Sequence, residues 1–145
     1  MKKKTKKTVK RSTVHNKLWP IFSKYVRLRD CLATTGNVDY CICYTCGEVT
    51  EWAKLDAGHA FTRKCISLKY DEKLVRGQCK GCNGYGKGEQ ALFLYHLEED
   101  HGREFVDWAR GEYKNWKADK GRKVQTIELL EMIPFYEQKL NQLNE

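Results

Sequence analysis

The sequence predicts an α+β protein in which a small cysteine-rich core lies between an N-terminal helix and a C-terminal helical extension. Three observations predict this class: two Cys-x-x-Cys pairs, short segments of β character near them, and apolar residues at helical spacing on both sides. A chain of 145 residues that is 41% hydrophobic has room for one modest core plus extensions. Cores of this size are often stabilised by a bound metal.

Three segments are expected along the chain. They are a disordered, lysine-rich arm over residues 1–17, a core over residues 18–101 and a helical extension over residues 102–145. Pro20 suits the first turn of a helix, because the N–H that proline lacks would be unpaired there anyway. The apolar spacing that follows predicts a helix over residues 20–33.

The middle of the chain has shorter patterns. Residues 40–44 and 51–59 have β character, and Cys46-Gly47 turns the chain between them. Residues 61–78 are rich in basic side chains and lack periodicity, so we predict an irregular loop there.

The last third of the chain is predicted to be helical, over residues 89–101, 103–119 and 126–143. Thr126 suits the N-cap of the last helix, and Pro134 is expected to kink or divide it. The apolar stripes of the last two helices can pack on the core or form a homodimer interface, and the pattern leaves both open.

The formal net charge of +8 is distributed unevenly. Residues 1–88 hold 19 basic against 7 acidic residues, a net +12, whereas residues 89–145 hold 8 against 12, a net −4. This asymmetry predicts a surface for a polyanion such as DNA, the alternative being a merely solvated basic face. The expected contacts are Lys2, Lys3, Lys4, Lys6, Lys7, Lys10, Arg11, Arg27, Arg63, Lys64, Lys69 and Arg76.

Four of the seven cysteines predict a structural zinc site. Cys43 with Cys46, and Cys79 with Cys82, form two tight turns whose thiolates can complete one tetrahedron. The 32 residues between Cys46 and Cys79 exceed the 15–20 of a simple zinc ribbon, so a structured segment is inserted there. Cys41 is an alternative to Cys43, but a spacing of one residue suits a knuckle less well.

The remaining thiols, Cys31, Cys41 and Cys65, are interpreted as core or surface residues. An odd number of cysteines with a metal site favours a reducing compartment over a secreted, disulfide-bonded scaffold. No stretch approaches the roughly 18 apolar residues of a membrane span, and no apolar run follows the basic N-terminus. We therefore expect a cytoplasmic protein without a membrane partner.

His59 and Asn83 are the residues most suited to catalysis. His59 lies in the inserted segment, between small residues, and a neutral imidazole can take a proton from water near neutral pH. Asn83 directly follows a cysteine of the zinc site, and its amide oxygen is a hard ligand suited to Mg²⁺ or Mn²⁺. The alternatives are a structural histidine and a turn asparagine before Gly84.

These motifs together resemble the HNH, or ββα-metal, nuclease superfamily, and especially the lambdoid phage NinG (Rap) recombination family. The resemblance is carried by the run from Val75 to Asn83, by Cys43–Gly47 and by Asp56–His59, and it extends upstream through Leu18–Asp30. The segment from Val75 to Asn83 is also similar to the phage resolvase endonuclease VII. The resemblance covers residues 17–143.

The resemblance implies a β-hairpin and a helix around zinc, with His59 as general base on the hairpin and Asn83 as a catalytic-metal ligand at the start of the helix. It implies Cys43, Cys46, Cys79 and Cys82 as zinc ligands. It further implies DNA cleavage, with 5′-phosphate and 3′-hydroxyl products, inside a bacterial host.

Two positions depart from the family pattern. The resolvase pattern places Asp before the histidine, where this chain has Gly58, so Asp56 is the available carboxylate. On a regular strand residues 56 and 58 face away from His59, so we expect Asp56 to reach the metal only if Gly58 permits a local distortion. A middle asparagine is also absent, and Asp71 is the nearest polar residue.

The sequence therefore predicts a metal-dependent endonuclease that acts on branched DNA, such as Holliday junctions or D-loops. Neutral His59 would deprotonate the attacking water, while a cation held by Asn83 and Asp56 stabilises the charge on the leaving oxygen. Two alternatives remain: a non-catalytic zinc DNA-binding protein and a sequence-specific homing or restriction nuclease. Junction resolution needs two cuts, which favours a homodimer.

Overall fold

The computed structural model describes residues 9–144. Its helices are α1 (Arg11–Thr35), α2 (Ile66–Lys69), α3 (Gln90–His101), α4 (Arg103–Lys117) and α5 (Thr126–Leu143). Its strands are β1 (Tyr40–Ile42), β2 (Val49–Glu51), β3 (Leu55–His59) and β4 (Val75–Cys79). A 3₁₀ turn, Trp52–Lys54, and a π-helical turn, Gly81–Tyr85, complete the elements. The mixed α+β class expected from the sequence is confirmed.

The strands form two separate antiparallel pairs. In the first, β1 pairs with β2, and the Cys43–Gly47 turn joins them. Gly47 adopts a φ of +78°, a left-handed conformation that glycine enters at little cost, and its N–H donates to the carbonyl of Cys43. In the second pair, β3 and β4 stay in continuous register from Leu55 opposite Cys79 to His59 opposite Val75.

Helix α1 is the platform on which the other elements pack. Leu18, Phe22 and Val26 on this helix are fully buried, and Leu129 on α5 meets them in one apolar cluster. Pro20 lies inside α1, where it leaves a carbonyl without its helical partner, but tertiary packing offsets that loss. A second cluster lies under α3 and α4.

Helix α1 begins at Arg11, nine residues before the predicted start. Val14 is only 2% exposed, His15 shares a 2.7 Å hydrogen bond with the hydroxyl of Tyr70, and Arg11 donates to the carbonyl of Val124 at 2.8 Å. The expectation of a disordered arm is therefore wrong for residues 11–17, because contacts with distant residues order them. Residues 1–8 of that arm lie outside the described residues.

The predicted irregular loop over residues 61–78 is also wrong in part, because it contains α2 and β4. Gly77 interrupts the apolar pattern of β4, so the sequence does not predict this strand. A Cβ atom at Gly77 would lie 3.0 Å from the sulfur of Cys41, so the close packing of β4 favours glycine there. Pairing with β3 then supplies the stability that local sequence lacks.

The three C-terminal helices match the predicted segments to within about two residues. Gln125, not Thr126, is the N-cap of α5, and the carboxylate of Glu128 accepts its backbone N–H. Pro134 lies within α5 without dividing it. In the part of the chain that the structure describes, no helix is long and apolar enough to cross a membrane.

Two acidic side chains connect elements that are distant in sequence. Glu72, just before β4, accepts hydrogen bonds from Tyr25 of α1 and from Tyr136 and Lys139 of α5. Asp30 of α1 is 7% exposed and accepts the backbone N–H of Gly77 at 2.8 Å. These contacts fix β4, and with it the β3–β4 pair, on helix α1.

Replacing Asp30 with alanine should lower the free energy of unfolding by about 3 kcal/mol, because the N–H of Gly77 and the guanidinium of Arg29 lose a buried carboxylate. Urea unfolding monitored by circular dichroism measures the change. The matched control is Glu131→Ala on the exposed face of α5, for which we expect a change within about 0.5 kcal/mol. Equal effects of the two substitutions would contradict a stabilising role for the Asp30 carboxylate.

Candidate functional site

The four cysteines of the two Cys-x-x-Cys pairs converge. The sulfurs of Cys43, Cys46, Cys79 and Cys82 all lie within 4.8 Å of one another, and those of Cys46 and Cys79 are 3.8 Å apart. A tetrahedral zinc with Zn–S bonds of about 2.3 Å separates its sulfurs by about 3.8 Å. This cluster can hold a zinc ion, as the spacing predicted.

Backbone N–H groups surround the sulfur of Cys43. The N–H of Cys79 donates to it at 3.3 Å, and the hydroxyl of Thr45 lies 3.5 Å away. Burial opposes ionisation of Cys43, but these hydrogen bonds outweigh it and lower the pKa of the thiol to about 6. Burial and the neighbouring thiols instead raise the pKa of Cys46 to about 12, and a bound cation would favour its thiolate form.

The other three cysteines lie apart from this cluster. Cys31, Cys41 and Cys65 are fully buried, and burial raises the pKa of Cys41 to about 12. Cys41 packs against Gly77, so the alternative in which it replaces Cys43 as a ligand is wrong.

His59 ends strand β3, and its orientation is fixed on two sides. Its Nε2 donates a hydrogen bond to the backbone carbonyl of Lys69 at 3.1 Å, so in the neutral ring Nδ1 is the nitrogen that can accept a proton. The indole of Trp19 stacks on the imidazole with ring centroids 4.9 Å apart.

The imidazole of His59 is held in its neutral form. Burial lowers the pKa of His59 to about 4, and the positive charges of Arg63 and Lys69 act in the same direction. The hydrogen bond to the Lys69 carbonyl favours the charged ring but does not offset burial. The ring is therefore neutral throughout the physiological pH range.

Asp56 and Asn83 are in direct contact. The amide of Asn83 donates to Oδ2 of Asp56 at 3.2 Å, and Lys80 donates to Oδ1 at 2.8 Å. Asn83 follows Cys82 within the π-helical turn Gly81–Tyr85, so the cysteine cluster sets its position. It does not open a regular helix as the resemblance implied, because α3 begins only at Gln90.

Asn83 lies between two clefts. One, about 420 Å³, is lined by His59, and the other, about 450 Å³, is lined by Asp56; Asn83 and Arg63 line both. The structure therefore brings Asn83 together with each of the other candidate residues. Asp56 and His59 open into different clefts, as their alternation along β3 predicts.

The glycine before His59 has a steric explanation. A Cβ atom at Gly58 would lie 1.7 Å from the amide oxygen of Gln78, a fully buried side chain that donates to Thr45 and to the carbonyl of Gly88. Asp56 meets Asn83 although the register of β3 and β4 has no bulge. The contact between Asp56 and Asn83 therefore needs no distortion at Gly58, because the turn after β4 approaches the Asp56 side.

The basic residues predicted to contact DNA divide into three groups. Arg27 lies over the ring of Trp52 and Arg63 over that of Trp19, at 4.5 and 4.9 Å from the ring centres, while Lys10 and Lys64 are exposed. A second group of three residues makes contacts within the fold. Arg11 donates a hydrogen bond to the carbonyl of Val124, Lys69 is buried beside His15, and Arg76 donates a hydrogen bond to His101. The third group lies outside the described residues: Lys2, Lys3, Lys4, Lys6 and Lys7.

The sequence did not identify the residues that support His59. Trp19 and the Lys69 carbonyl act through ring stacking and backbone geometry, which leave no motif. Asp71, the nearest polar candidate, instead accepts the backbone N–H groups of Lys73 and Leu74 in the turn before β4.

The family model described as "Bacteriophage Lambda NinG protein" matches residues 1–145. The chain belongs to the NinG family. The resemblance to that family is confirmed, while membership of the ββα-metal superfamily remains a prediction.

Three curated relatives of this NinG-family chain are called "Protein ninG". Those of Escherichia phage 933W and Enterobacteria phage VT2-Sa are each 29% identical over 104 residues, which cover 70% of this chain and 47% of the relative. That of Salmonella phage P22 is 28% identical over 106 residues, covering 71% and 48%. The chain thus spans about half the length of these relatives. No solved structure matches it.

Purified NinG-family chain should contain one zinc per molecule, and Cys46→Ser should abolish it. Cys46 is exposed, so its substitution removes a ligand with little loss of packing. Elemental analysis and thermal unfolding with and without a strong chelator measure the effect. Cys65→Ala, in a buried cysteine outside the cluster, is the control and should retain the metal. Zinc-free protein of unchanged stability would exclude the site.

Proposed function

We propose that this chain is a metal-dependent DNA endonuclease that hydrolyses phosphodiester bonds in branched recombination intermediates. The observation that carries the proposal is the contact of Asp56 with Asn83 next to a cleft that holds a neutral, oriented His59. His59 as a base in one cleft, and Asp56 and Asn83 as two hard oxygen ligands beside it, supply the parts that such hydrolysis needs.

His59 supplies the general base. A water positioned at its free Nδ1 gives up a proton to the ring as its oxygen attacks phosphorus. The bond to the 3′ oxygen breaks, that oxygen takes a proton from solvent and the ring later releases its own, leaving 5′-phosphate and 3′-hydroxyl ends. Trp19 and the Lys69 carbonyl prevent rotation of the ring, so it needs no reorganisation before it accepts the proton.

Asp56 and Asn83 would hold the catalytic cation. The carboxylate of Asp56 and the amide oxygen of Asn83 are ligands suited to Mg²⁺ or Mn²⁺. In the structure the amide nitrogen of Asn83 faces Asp56. When bound, the cation stabilises negative charge on the phosphate and the leaving oxygen. Lys80 now neutralises Asp56, and its 59% exposed side chain can swing away when a cation binds.

The charge around the clefts favours a polyanionic substrate. Arg63 lines both clefts and stacks on Trp19, and the structure pairs it with no carboxylate in residues 9–144. A phosphate beside Asn83 would therefore meet an unneutralised guanidinium. A non-catalytic DNA-binding protein would have no use for the oriented His59.

The homodimer remains part of the proposal, because resolving a junction requires two cuts. The inner face of α5 packs on α1 through Leu129, Ile133 and Tyr136, so that stripe is occupied within the chain. Ile127 and Phe135 on the outer face are 59% and 49% exposed and are the residues available for a second copy.

His59→Ala should abolish cleavage at any Mg²⁺ concentration, whereas Asn83→Ala should lose metal affinity and recover part of its rate in excess metal. The difference arises because the base is lost in one variant and only a ligand in the other. Rates on four-way junction, D-loop, duplex and single-stranded DNA measure both. The control is His96→Ala, a histidine that lines neither cleft. Near wild-type cleavage by His59→Ala under saturating Mg²⁺ would refute His59 as the base, whereas no cleavage by the wild-type protein would favour a DNA-binding role.

The pH dependence should reflect the depressed pKa of His59. A base acts only when neutral, so activity is present above its pKa and lost as pH falls through about 4. The acidic limb of kcat/KM should therefore lie well below the 6–7 of an unperturbed imidazole. Zinc content and circular dichroism at each pH exclude unfolding as the cause. An acidic limb near pH 6.5 with the fold intact would contradict this assignment.

Removing residues 1–8 should weaken DNA binding and flatten its salt dependence, by about 0.9 in the log–log slope for each phosphate that the arm no longer neutralises. The deletion must stop before Arg11 and Val14, because both contact the rest of the fold. Fluorescence anisotropy across a salt series measures the slope, and a variant with the arm's lysines changed to glutamine separates charge from length. Unchanged affinity at low salt would refute a DNA contact by this segment.

A further inference from the structure

We infer that Tyr85 and the Arg27–Trp52 stack hold unpaired nucleotides on the two sides of Asp56 and Asn83. The strand at the site is therefore single-stranded where it is cut. The inference rests on the proposed nuclease function and adds the residues that select unpaired over paired DNA. It is supported by the exposure of the Tyr85 ring and by the positions of the Arg27 and Arg63 guanidinium groups over tryptophan rings.

Tyr85 is 96% exposed, the largest exposure of any large hydrophobic side chain in the described residues. The chain leaves the His59 cleft at Asn83 and returns to its wall at Lys87 and Gly88, so Tyr85 lies in the segment that borders the cleft. Its ring buries almost no area and contributes almost nothing to folding. An aromatic ring placed in solvent beside a basic cleft is suited to stacking on a ligand.

The backbone that follows Tyr85 places two non-glycine residues in the left-handed conformation. Lys87 and Glu89 adopt φ values of +51° and +48°, which cost non-glycine residues about 1 kcal/mol each. A Cβ atom at Gly86 would lie 2.7 Å from the carbonyl of Cys82, so the return of the chain requires glycine there. This segment is tied to the cysteine cluster while its tyrosine extends into solvent.

Arg27 lies at the wall of the other cleft. Its guanidinium carbon is 4.5 Å from the ring centre of Trp52, and its Nε donates to the carbonyl of Ser23 at 3.2 Å. Two contacts thus hold the guanidinium over the indole, and Arg27 forms no salt bridge within residues 9–144. A guanidinium plane held in this way can stack on a base and contact a phosphate.

The order of these groups defines a path for one strand. Asn83 lines both clefts, with the Tyr85 segment beside one and Arg27 in the other, and Arg63 on Trp19 lies where the two meet. A basic groove with flat stacking groups along it is the general form of a single-strand site. In a duplex both faces of each base are covered by its neighbours, so these groups can engage only bases that have left the stack.

The test uses DNA that carries 2-aminopurine, whose fluorescence falls when it stacks, either in a short single-stranded gap or at the same position in a full duplex. Ca²⁺ replaces Mg²⁺ so that binding is measured without cleavage. Wild-type protein should quench the gapped probe and leave the paired probe unchanged. Tyr85→Ala should lose quenching and bind gapped DNA about tenfold more weakly, with paired DNA unaffected. Tyr85→Phe should behave as wild type, since its ring remains.

Two matched variants separate stacking from charge and from general surface effects. Arg27→Lys keeps the positive charge but not the plane, so it should lose selectivity for gapped DNA and retain affinity for duplex. Tyr95→Ala removes a 60% exposed tyrosine of α3 that lines neither cleft and should change nothing. Because Tyr85 is almost fully exposed, its substitution leaves thermal stability unchanged, and loss of fold does not confuse the result.

Equal weakening of gapped and paired DNA by Tyr85→Ala, or an unquenched probe with bound wild-type protein, would overturn the inference. The nuclease proposal fails in a different way. A wild-type protein that quenches the gapped probe but never cuts DNA in Mg²⁺ would refute the nuclease and support the single-strand contacts. A protein that cuts gapped DNA equally well with and without the Tyr85 ring would keep the nuclease and overturn the contacts.

Discussion

The convergence of four thiols is the constraint on which the rest of the site depends. Cys43 and Cys46 lie in the turn of the first hairpin, Cys79 ends β4, and Cys82 lies in the π-helical turn, so one cluster ties together three short elements that could not persist alone. Asn83 is the next residue along the chain. Whatever fixes the sulfurs therefore also fixes Asn83 between the two clefts.

The second constraint is the long helix α1, which orients β4 and the segment before it. The carboxylate of Asp30 holds the backbone of Gly77, and Glu72 joins this segment to α1 and α5 through tyrosine and lysine side chains. The same helix provides Trp19, whose ring covers His59. The helical extension is thus part of the support for the candidate base, because it packs on the helix that orients it.

The positive charges of Arg63 and Lys69 act both on His59 and on the character of the clefts. Arg63 and Lys69 lie close to His59 and help to lower its pKa, which keeps the ring neutral and able to accept a proton. In the proposed function the same charges would attract the phosphate of the substrate. Burial is the larger cause, so the base stays neutral even where a bound anion would offset the cations. Stacking of Arg27 and Arg63 on indoles keeps their guanidinium groups in place before any ligand arrives.

The sequence by itself determined the elements whose signal is local: the cysteine spacing predicted the four-sulfur cluster, and apolar periodicity located α3, α4 and α5. It also singled out Asp56 and Asn83, which the structure brings into contact. Tertiary structure alone decided the start of α1, the pairing of β4 with β3, and the groups that orient His59. The reason is physical: Val14, Gly77 and the Lys69 carbonyl act through residues ten or more positions away, and a pattern along the chain contains no record of such partners.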